Sequence, residues 1–333
     1  MKLVTLVSFV SVSFVSASLF ACSGGEGQSQ FPTDPGASDD SGSPPPPALT
    51  TSDAAAAGDA GLSLFYANSD TTLYQLDPND TNVPMTTVGT FDCIPSQASV
   101  MTDIAVSKDG RLFGVSPAAA FPLTIQGSTV HCEAKWPLPY ATHFNGLSFA
   151  PENTVAPEEA LIGGNAIGAL YWIDQASGTP TQVGTLGTDP NTGMPFGVSG
   201  DIVFMANHGN PVGFATVRTC TDPNVSSTCD KVDTLIELDV SAVHPGTQSV
   251  LKAIRGKVTR GGWCQSNGTE SSFGAIFGVV ALGSQVYGFS RWGDFVDIQN
   301  SDGSGCLQWN ASGVNFAGAG ITTVAEVVAP PPK

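Results

Sequence analysis

Asp103-Ile104-Ala105-Val106-Ser107-Lys108-Asp109-Gly110-Arg111-Leu112-Phe113-Gly114 is the stretch that decides the fold. A polar residue opens a short apolar strand, Asp109-Gly110 supplies the positive φ of a tight hairpin turn, and a second apolar strand follows. Ile104 and Val106 share one side of the first strand, and Leu112 on the next strand can pack with them against a neighbouring sheet. The same opening, a polar residue or glycine before an apolar strand, returns at Gly146-Leu147-Ser148-Phe149, Gly197-Val198-Ser199 and Gly278-Val279-Val280. A second pattern, bulky apolar alternation closed by an acid, occurs at Leu73-Tyr74-Gln75-Leu76-Asp77, Leu170-Tyr171-Trp172-Ile173-Asp174 and Leu235-Ile236-Glu237-Leu238-Asp239. After each copy comes a turn-rich gap and another strand, at 85–91, 181–186 and 249–254.

The spacing predicts a repeat. Ile104 to Leu147 is 43 residues and Leu147 to Val198 is 51, close to the roughly 40 to 50 of a four-stranded propeller blade. The next interval, to Val279, is 81 residues, which requires either a blade without a signal or a long insertion. Residues 216–233, holding Cys220 and Cys229, read as a stapled loop of that kind. The expected architecture is an all-β β-propeller of five blades, with six as the alternative count. Residues 321–328 are expected to pair with 62–67 and close the ring, removing exposed edges. The segment from Asp103 to Gly114 resembles the strand, Asp-Gly turn, strand unit of bacterial β-propeller proteins. A two-sheet sandwich, also built from short strands and Gly/Pro turns, is the competing architecture.

The N-terminus carries an address. An apolar run from Leu3 with one positive charge, Lys2, ends at Leu19-Phe20-Ala21-Cys22 and gives way to Ser23-Gly24-Gly25. That is the layout of a secretory signal peptide, and Cys22 at the cleavage point resembles the lipobox of bacterial lipoproteins, in which the cysteine is acylated by palmitate-type chains. Several such chains at ~0.8 kcal/mol per buried methylene give a stable anchor. The domain reading is a signal peptide over 1–21, the acylated Cys22 and a linker over 22–61, a propeller over 62–328 and a tail over 329–333. The linker, rich in Pro, Gly, Ser and Asp, has little to bury and reaches about 35 Å as a flexible chain. Ser23 rather than Asp after the acylated cysteine implies, by the same resemblance, the outer membrane of the cell envelope.

Charge and cysteine usage constrain partners. Of the 333 residues, 29 are acidic and 12 are Lys or Arg, for a net charge of −17, and residues 62–333 alone hold 23 acids against 11 bases. Such a surface repels phosphate backbones, so nucleic acid is excluded as a partner. Six cysteines follow Cys22, an even number in a chain sent to an oxidising compartment. Neighbours are expected to pair, Cys93 with Cys132, Cys220 with Cys229 and Cys264 with Cys306. No C-x-x-C spacing suggests zinc.

Two function classes remain. Phe144-Asn145-Gly146-Leu147-Ser148-Phe149 is similar to the Asn-Gly segment of gluconolactonase-type propellers, where an asparagine at the channel mouth helps to hold a divalent metal. That resemblance implies a metal-binding role for Asn145 in a metal-dependent hydrolase; Asp103 and Asp201, near the starts of the preceding and following blades, are expected under that reading to converge with it on calcium or magnesium, whose ligands are oxygens. The competing role for these residues is to hydrogen-bond the starts of inner strands. The preferred reading is a monomeric binding or scaffolding module. Trp263 beside Gly261-Gly262, and Trp292 in Arg291-Trp292-Gly293-Asp294, offer aromatic faces for a protein or polysaccharide ligand. Lys252, Arg255, Lys257 and Arg260 form a basic cluster suited to an anionic partner or a solvated outer strand. His131, His143, His208 and His244 show no ligand spacing. Asn79, Asn224, Asn267 and Asn310 begin Asn-x-Ser/Thr motifs of no consequence beside a lipobox.

Overall fold

Short apolar strands broken by Gly, Asp and Asn turns can bury their faces only by stacking sheet on sheet, and this chain does so in a ring. The computed structural model describes residues 65–77, 85–139, 143–222, 225–266, 269–282 and 285–324. All belong to the second of two units, Asp59–Lys333. Cys22, the signal peptide, the linker, Asn79, Asn224, Asn267, the side chain of His208 and residues 325–333 lie outside the described residues.

The strands run, in chain order, β1 (Phe65–Ser69), β2 (Thr72–Leu76), β3 (Met85–Phe91), β4 (Asp103–Val106), β5 (Leu112–Ser116), β6 (Ala119–Gln126), β7 (Thr129–Cys132) and β8 (Trp136–Pro137). They continue with β9 (Phe144–Ala150), β10 (Ala160–Asn165), β11 (Ala169–Ile173), β12 (Pro180–Thr185), β13 (Phe196–Met205), β14 (Val212–Thr219), β15 (Thr234–Leu238), β16 (Gly246–Ser249) and β17 (Leu251–Lys257). The last are β18 (Ile276–Leu282), β19 (Gln285–Ser290), β20 (Asp294–Ile298), β21 (Gly305–Asn310) and β22 (Phe316–Gly320). Hydrogen bonding joins them as β22-β1-β2-β3-β7-β6-β5-β4, with β8 on β6, then β9-β10-β11-β12 with β16, then β13-β14-β15-β17, then β18-β19-β20-β21. The first of these sheets is two antiparallel runs joined only by the parallel pairing of β3 with β7 at Thr90 and Phe91.

The polar-then-apolar openings are the inner strands β4, β9, β13 and β18, and the acid-closed pattern is the third strand of a run, β2, β11 or β15. In β11 and β15 the closing acid starts a turn: Asp174 accepts from the Ala176 N–H at 3.0 Å and Asp239 from the Ser241 N–H at 3.1 Å. The Asp109-Gly110 turn joins β4 to β5 with Gly110 at φ +82°.

Inner strands neighbour one another in a closed order: β4 with β9, β9 with β13, β13 with β18, β18 with β22 and β22 with β4. Between successive runs lie separate apolar layers. Ile104, Val106 and Phe121 meet Leu73 and Phe91. Phe113 and Val115 meet Phe144 and Phe149, Ile162 and Leu170 meet Val198 and Ile236, Val203 and Leu235 meet Val279 and Val296, and Val280 and Phe289 meet Phe65 and Phe316. That cyclic order excludes a two-sheet sandwich, whose apolar faces share one layer.

Two expectations need correction. The strand that closes the ring is β22, at Phe316-Ala317-Gly318-Ala319-Gly320, which pairs with β1 as Ala67↔Ala319; residues 321–324 form no strand. Apolar alternation pointed to the wrong stretch because an inner strand is chosen for slenderness. A Cβ on Gly318 would stand 2.1 Å from Asp103 Oδ1 and 2.5 Å from Asp103 Cα. Among its described residues the 81-residue interval holds no extra sheet: length goes into the loop stapled at Cys220, into β16, which leaves to pair with β12, and into the stretch between β17 and β18. The stapled loop is shorter than expected, since residues 216–219 complete β14.

All three disulfides form as the spacing suggested, Cys93–Cys132, Cys220–Cys229 and Cys264–Cys306. The first ties the turn after β3 to β7, and the third fastens the 258–275 segment to β21. Loops of 39 and 42 residues are each worth roughly 4 kcal/mol in the chain-entropy model.

Candidate functional site at the channel mouth

Asp103 and Asp201 stand at the ring's centre, fully buried. Asp103 Oδ1 accepts from its own strand at Ile104 N (2.8 Å) and from β22 at Ala319 N (2.9 Å), while Oδ2 accepts from β9 at Leu147 N (2.6 Å). Asp201 Oδ1 accepts from Ile202 N at 2.6 Å and Oδ2 from β18 at Val279 N at 2.7 Å. Each of the five inner strands thus gives one N–H to the pair, and the two carboxyls also hydrogen-bond each other. Burial lifts both above the usual carboxylate range, Asp201 to about 8, and the neighbouring Asp201 charge adds to the rise at Asp103. At neutral pH the pair holds a proton between its oxygens. Asp233, also buried, accepts from Ser199 Oγ at 2.6 Å and from Ile276 N at 2.7 Å, with burial raising its pKa to about 6.

Of the predicted metal trio, Asp103 and Asp201 meet, and Asn145 lines the cavity next to them. The Asn145 amide donates to Val198 O at 3.2 Å. A hard cation would have to displace the main-chain N–H groups that these carboxyls accept, and the proton they share.

A cavity of about 280 Å³ opens at this end of the channel, with Thr102, Asn145, Ser199, Arg218, Phe277 and Arg291 in its wall. Arg291 grips Asp70 with two bonds, at 2.6 and 2.7 Å, and its guanidinium lies 5.9 Å from the Phe277 ring centre. Arg218 is half-buried, and among the described residues its side chain has no hydrogen bond or ion pair; its charge is felt by Asp233. Neither arginine was singled out from sequence. Asp70 and Arg291 are separated by 221 positions, and no local pattern marks either one.

The remaining candidates divide. Trp292 is 67 % exposed, held in a turn by Ser290 Oγ on its N–H and by the Asn310 amide on its carbonyl. Trp263 is half-buried and donates from Nε1 to Ser304 Oγ at 2.8 Å, which ties it to the turn before β21. The members of the basic cluster are engaged within the fold. Lys252 (2.8 Å) and Arg255 pair with the buried Glu237, and Lys257 pairs with Asp230 at 3.0 Å. Arg260 donates to the Ser266 carbonyl. His131 pairs with exposed Asp92 at 2.5 Å, and His143 and His244 stand apart from it and from each other in the chain. Among the described residues, one cluster of metal-capable atoms exists, Asp92 with Cys93 and Cys132, and both its sulfurs are in a disulfide.

The raised carboxyls set a pH dependence. A folded pKa above the unfolded value means that the native state binds more protons between the two, so stability falls as pH rises. The contribution is complete below about pH 4 and is lost through about 6 for Asp233 and about 8 for Asp201. The melting temperature is expected to fall steadily from pH 5 to pH 9 in a thermal scan; a rise over that range contradicts a proton held at the hub.

Radially packed antiparallel sheets around a common channel, closed by pairing of the first and last strands, define a β-propeller. By sequence, the chain matches no family model and no curated protein. Among solved structures it is similar to BBS1N in a complex with ARL6DN (12 % identity, 74 % of this chain and 60 % of that one, TM-score 0.35). It is similar also to the Dos1 propeller (11 %, 75 % and 56 %, 0.36) and to the WD40 repeats of RRP9 (12 %, 78 % and 81 %, 0.38). The chain spans less than two thirds of the length of the first two.

Proposed function

We propose that this chain is a binding or scaffolding β-propeller of five blades, held at a bacterial cell envelope, at the outer membrane, by lipid on Cys22, with the channel-mouth face as its ligand face. Five inner strands, each followed by its own run, support the count once the nine-stranded sheet is divided at its single β3–β7 seam. The observation that carries the binding reading is the wall of the cavity. Its polar groups come from several sheets, and the most exposed tryptophan of the described residues, Trp292, follows the wall residue Arg291 in the chain. The buried carboxyls serve as a clasp for the inner strands in this reading, since their lone pairs already accept main-chain N–H groups.

The alternative, a lactonase-type hydrolase, is favoured only by the meeting of Asp103 and Asp201 near Asn145. Metal analysis of purified protein separates the two: a stoichiometric calcium or magnesium ion that disappears in Asn145→Ala supports the hydrolase, and none supports the binding module.

The reading is tested in two arms. Cys22→Ala is expected to abolish lipid labelling and release the body from the membrane fraction; normal maturation and continued membrane association would sink the anchor. Trp292→Ala is expected to weaken capture of an envelope protein or polysaccharide by about tenfold or more, as loss of an aromatic hot spot does. Unchanged capture would put the ligand face elsewhere.

A further inference from the structure

We propose that the channel-mouth cavity is a site for a small organic monocarboxylate, taken by the Arg218 guanidinium. The inference rests on the reading of this face as the ligand face and goes beyond it in naming the chemical class.

Arg218 is the starting point. A guanidinium presents five N–H donors and stays charged, so one placed in a wall without a carboxylate partner leaves its fork for a ligand. Here the neighbouring acids are committed. Both Asp70 oxygens accept from Arg291, and both Asp233 oxygens accept, from Ser199 Oγ and from the Ile276 N–H. Arg218 therefore faces the cavity as an anion-binding group, and the Arg–carboxylate geometry is the bidentate pairing such a fork makes best.

The remaining wall limits what accompanies the carboxylate. Phe277 and Val100 give an apolar side, Gly200 brings bare backbone against the space, and Asn145 offers a carboxamide oxygen that no main-chain donor of the described residues occupies. At about 280 Å³ the cavity is at the low end of small-molecule sites. A molecule of sugar-acid or acylated amino-acid size fits that description. Total charge excludes a polyanion. A body with 23 acids against 11 bases repels any ligand whose charge exceeds what one guanidinium offsets.

The test is titration of the intact folded body, followed by NMR or calorimetry, with glucuronate, N-acetylalanine, glucose and inorganic phosphate as probes. At least one of the two carboxylates is expected to saturate the wild-type protein below about 10 mM, with glucose, which has the bulk without the charge, failing to do so. Arg218→Met is expected to weaken that binding at least tenfold, and Arg218→Lys, which keeps the charge and loses the fork, to fall between. Thermal unfolding of both variants checks that the ring remains closed. Absence of saturation by either carboxylate, equal binding in Arg218→Met when it is folded, or tighter binding of phosphate than of both carboxylates overturns the proposal. Capture of the envelope ligand that depends on Trp292, with no carboxylate binding, would overturn this inference alone; loss of the Trp292 dependence would strike the wider reading.

Discussion

Asp103→Ala is expected to lower the free energy of unfolding by about 3 to 6 kcal/mol. The carboxyl satisfies the N–H groups of Ile104, Leu147 and Ala319, which belong to three different inner strands and lie in the buried centre. Leaving a buried donor unpaired costs about 1 to 3 kcal/mol each, and some of that is recovered if water enters the vacated space. Against a total of about 5 to 15 kcal/mol for a typical domain, the variant would be close to its limit. Asp201 retains its own two N–H donors in the variant and loses the neighbour that shares its proton. Urea unfolding of the two proteins measures the difference through the midpoint at constant slope. A midpoint unchanged from wild type would mean that the carboxyls are not the clasp of the ring.

Gly318→Val should destabilise the ring by a different route. Gly318 lies in β22 where that strand crosses β4, and a side chain there would run into Asp103 Cα at 2.5 Å and Asn68 Oδ1 at 2.7 Å. Backbone on the facing strand cannot turn aside as a flexible side chain can, so β22 must move outward and the closure of the ring weakens. Overpacking of a tight core costs about 1 to 3 kcal/mol and occasionally more, which for a domain of this size lowers the melting temperature by roughly 2 to 12 °C. Gly313→Ala is the comparison. Gly313 has a φ of +84° with nothing within 4 Å of the added Cβ, so only conformational strain is incurred and the fall should be much smaller. Equal falls would show that close approach at Gly318 is not what selects glycine there.

The hub also explains why the readings of Asp103, Asn145 and Asp201 diverged. An acid next to the apolar residues of an inner strand is legible in sequence as a special position, and Asp103 at the start of β4 and Asp201 within β13 are two. Its meaning depends on what faces it. Metal ligation and main-chain clasping both use carboxylate oxygens near a channel, and the N–H groups of Ala319 and Val279, supplied from 216 and 78 positions away, fill the oxygens here. The same distance hides Asp70 and Arg291. Either residue alone reads as an ordinary surface charge.

By itself the sequence determined the elements that depend on neighbours along the chain. The hairpin at Asp109-Gly110 follows from the φ that glycine permits, the inner strands at Asp103 and Gly146 from a polar or glycine start before apolar residues, and the three disulfides from the pairing of nearest cysteines. Tertiary structure alone decided which strand closes the ring, which cations remain available, and what the buried acids do. Phe316-Ala317-Gly318-Ala319-Gly320 carries almost no alternation, because a strand at the crowded axis is selected for small volume against Asp103 and Asn68 rather than for an apolar face. Lys252 and Arg255 look like a free basic patch until Glu237 meets them from the adjacent strand, whereas Arg218, unremarkable in sequence, is left unpaired because Asp233 turns its oxygens to Ser199 and Ile276. Charge balance and volume at a point in space are sums over strands from different blades, and no window along the chain contains that sum.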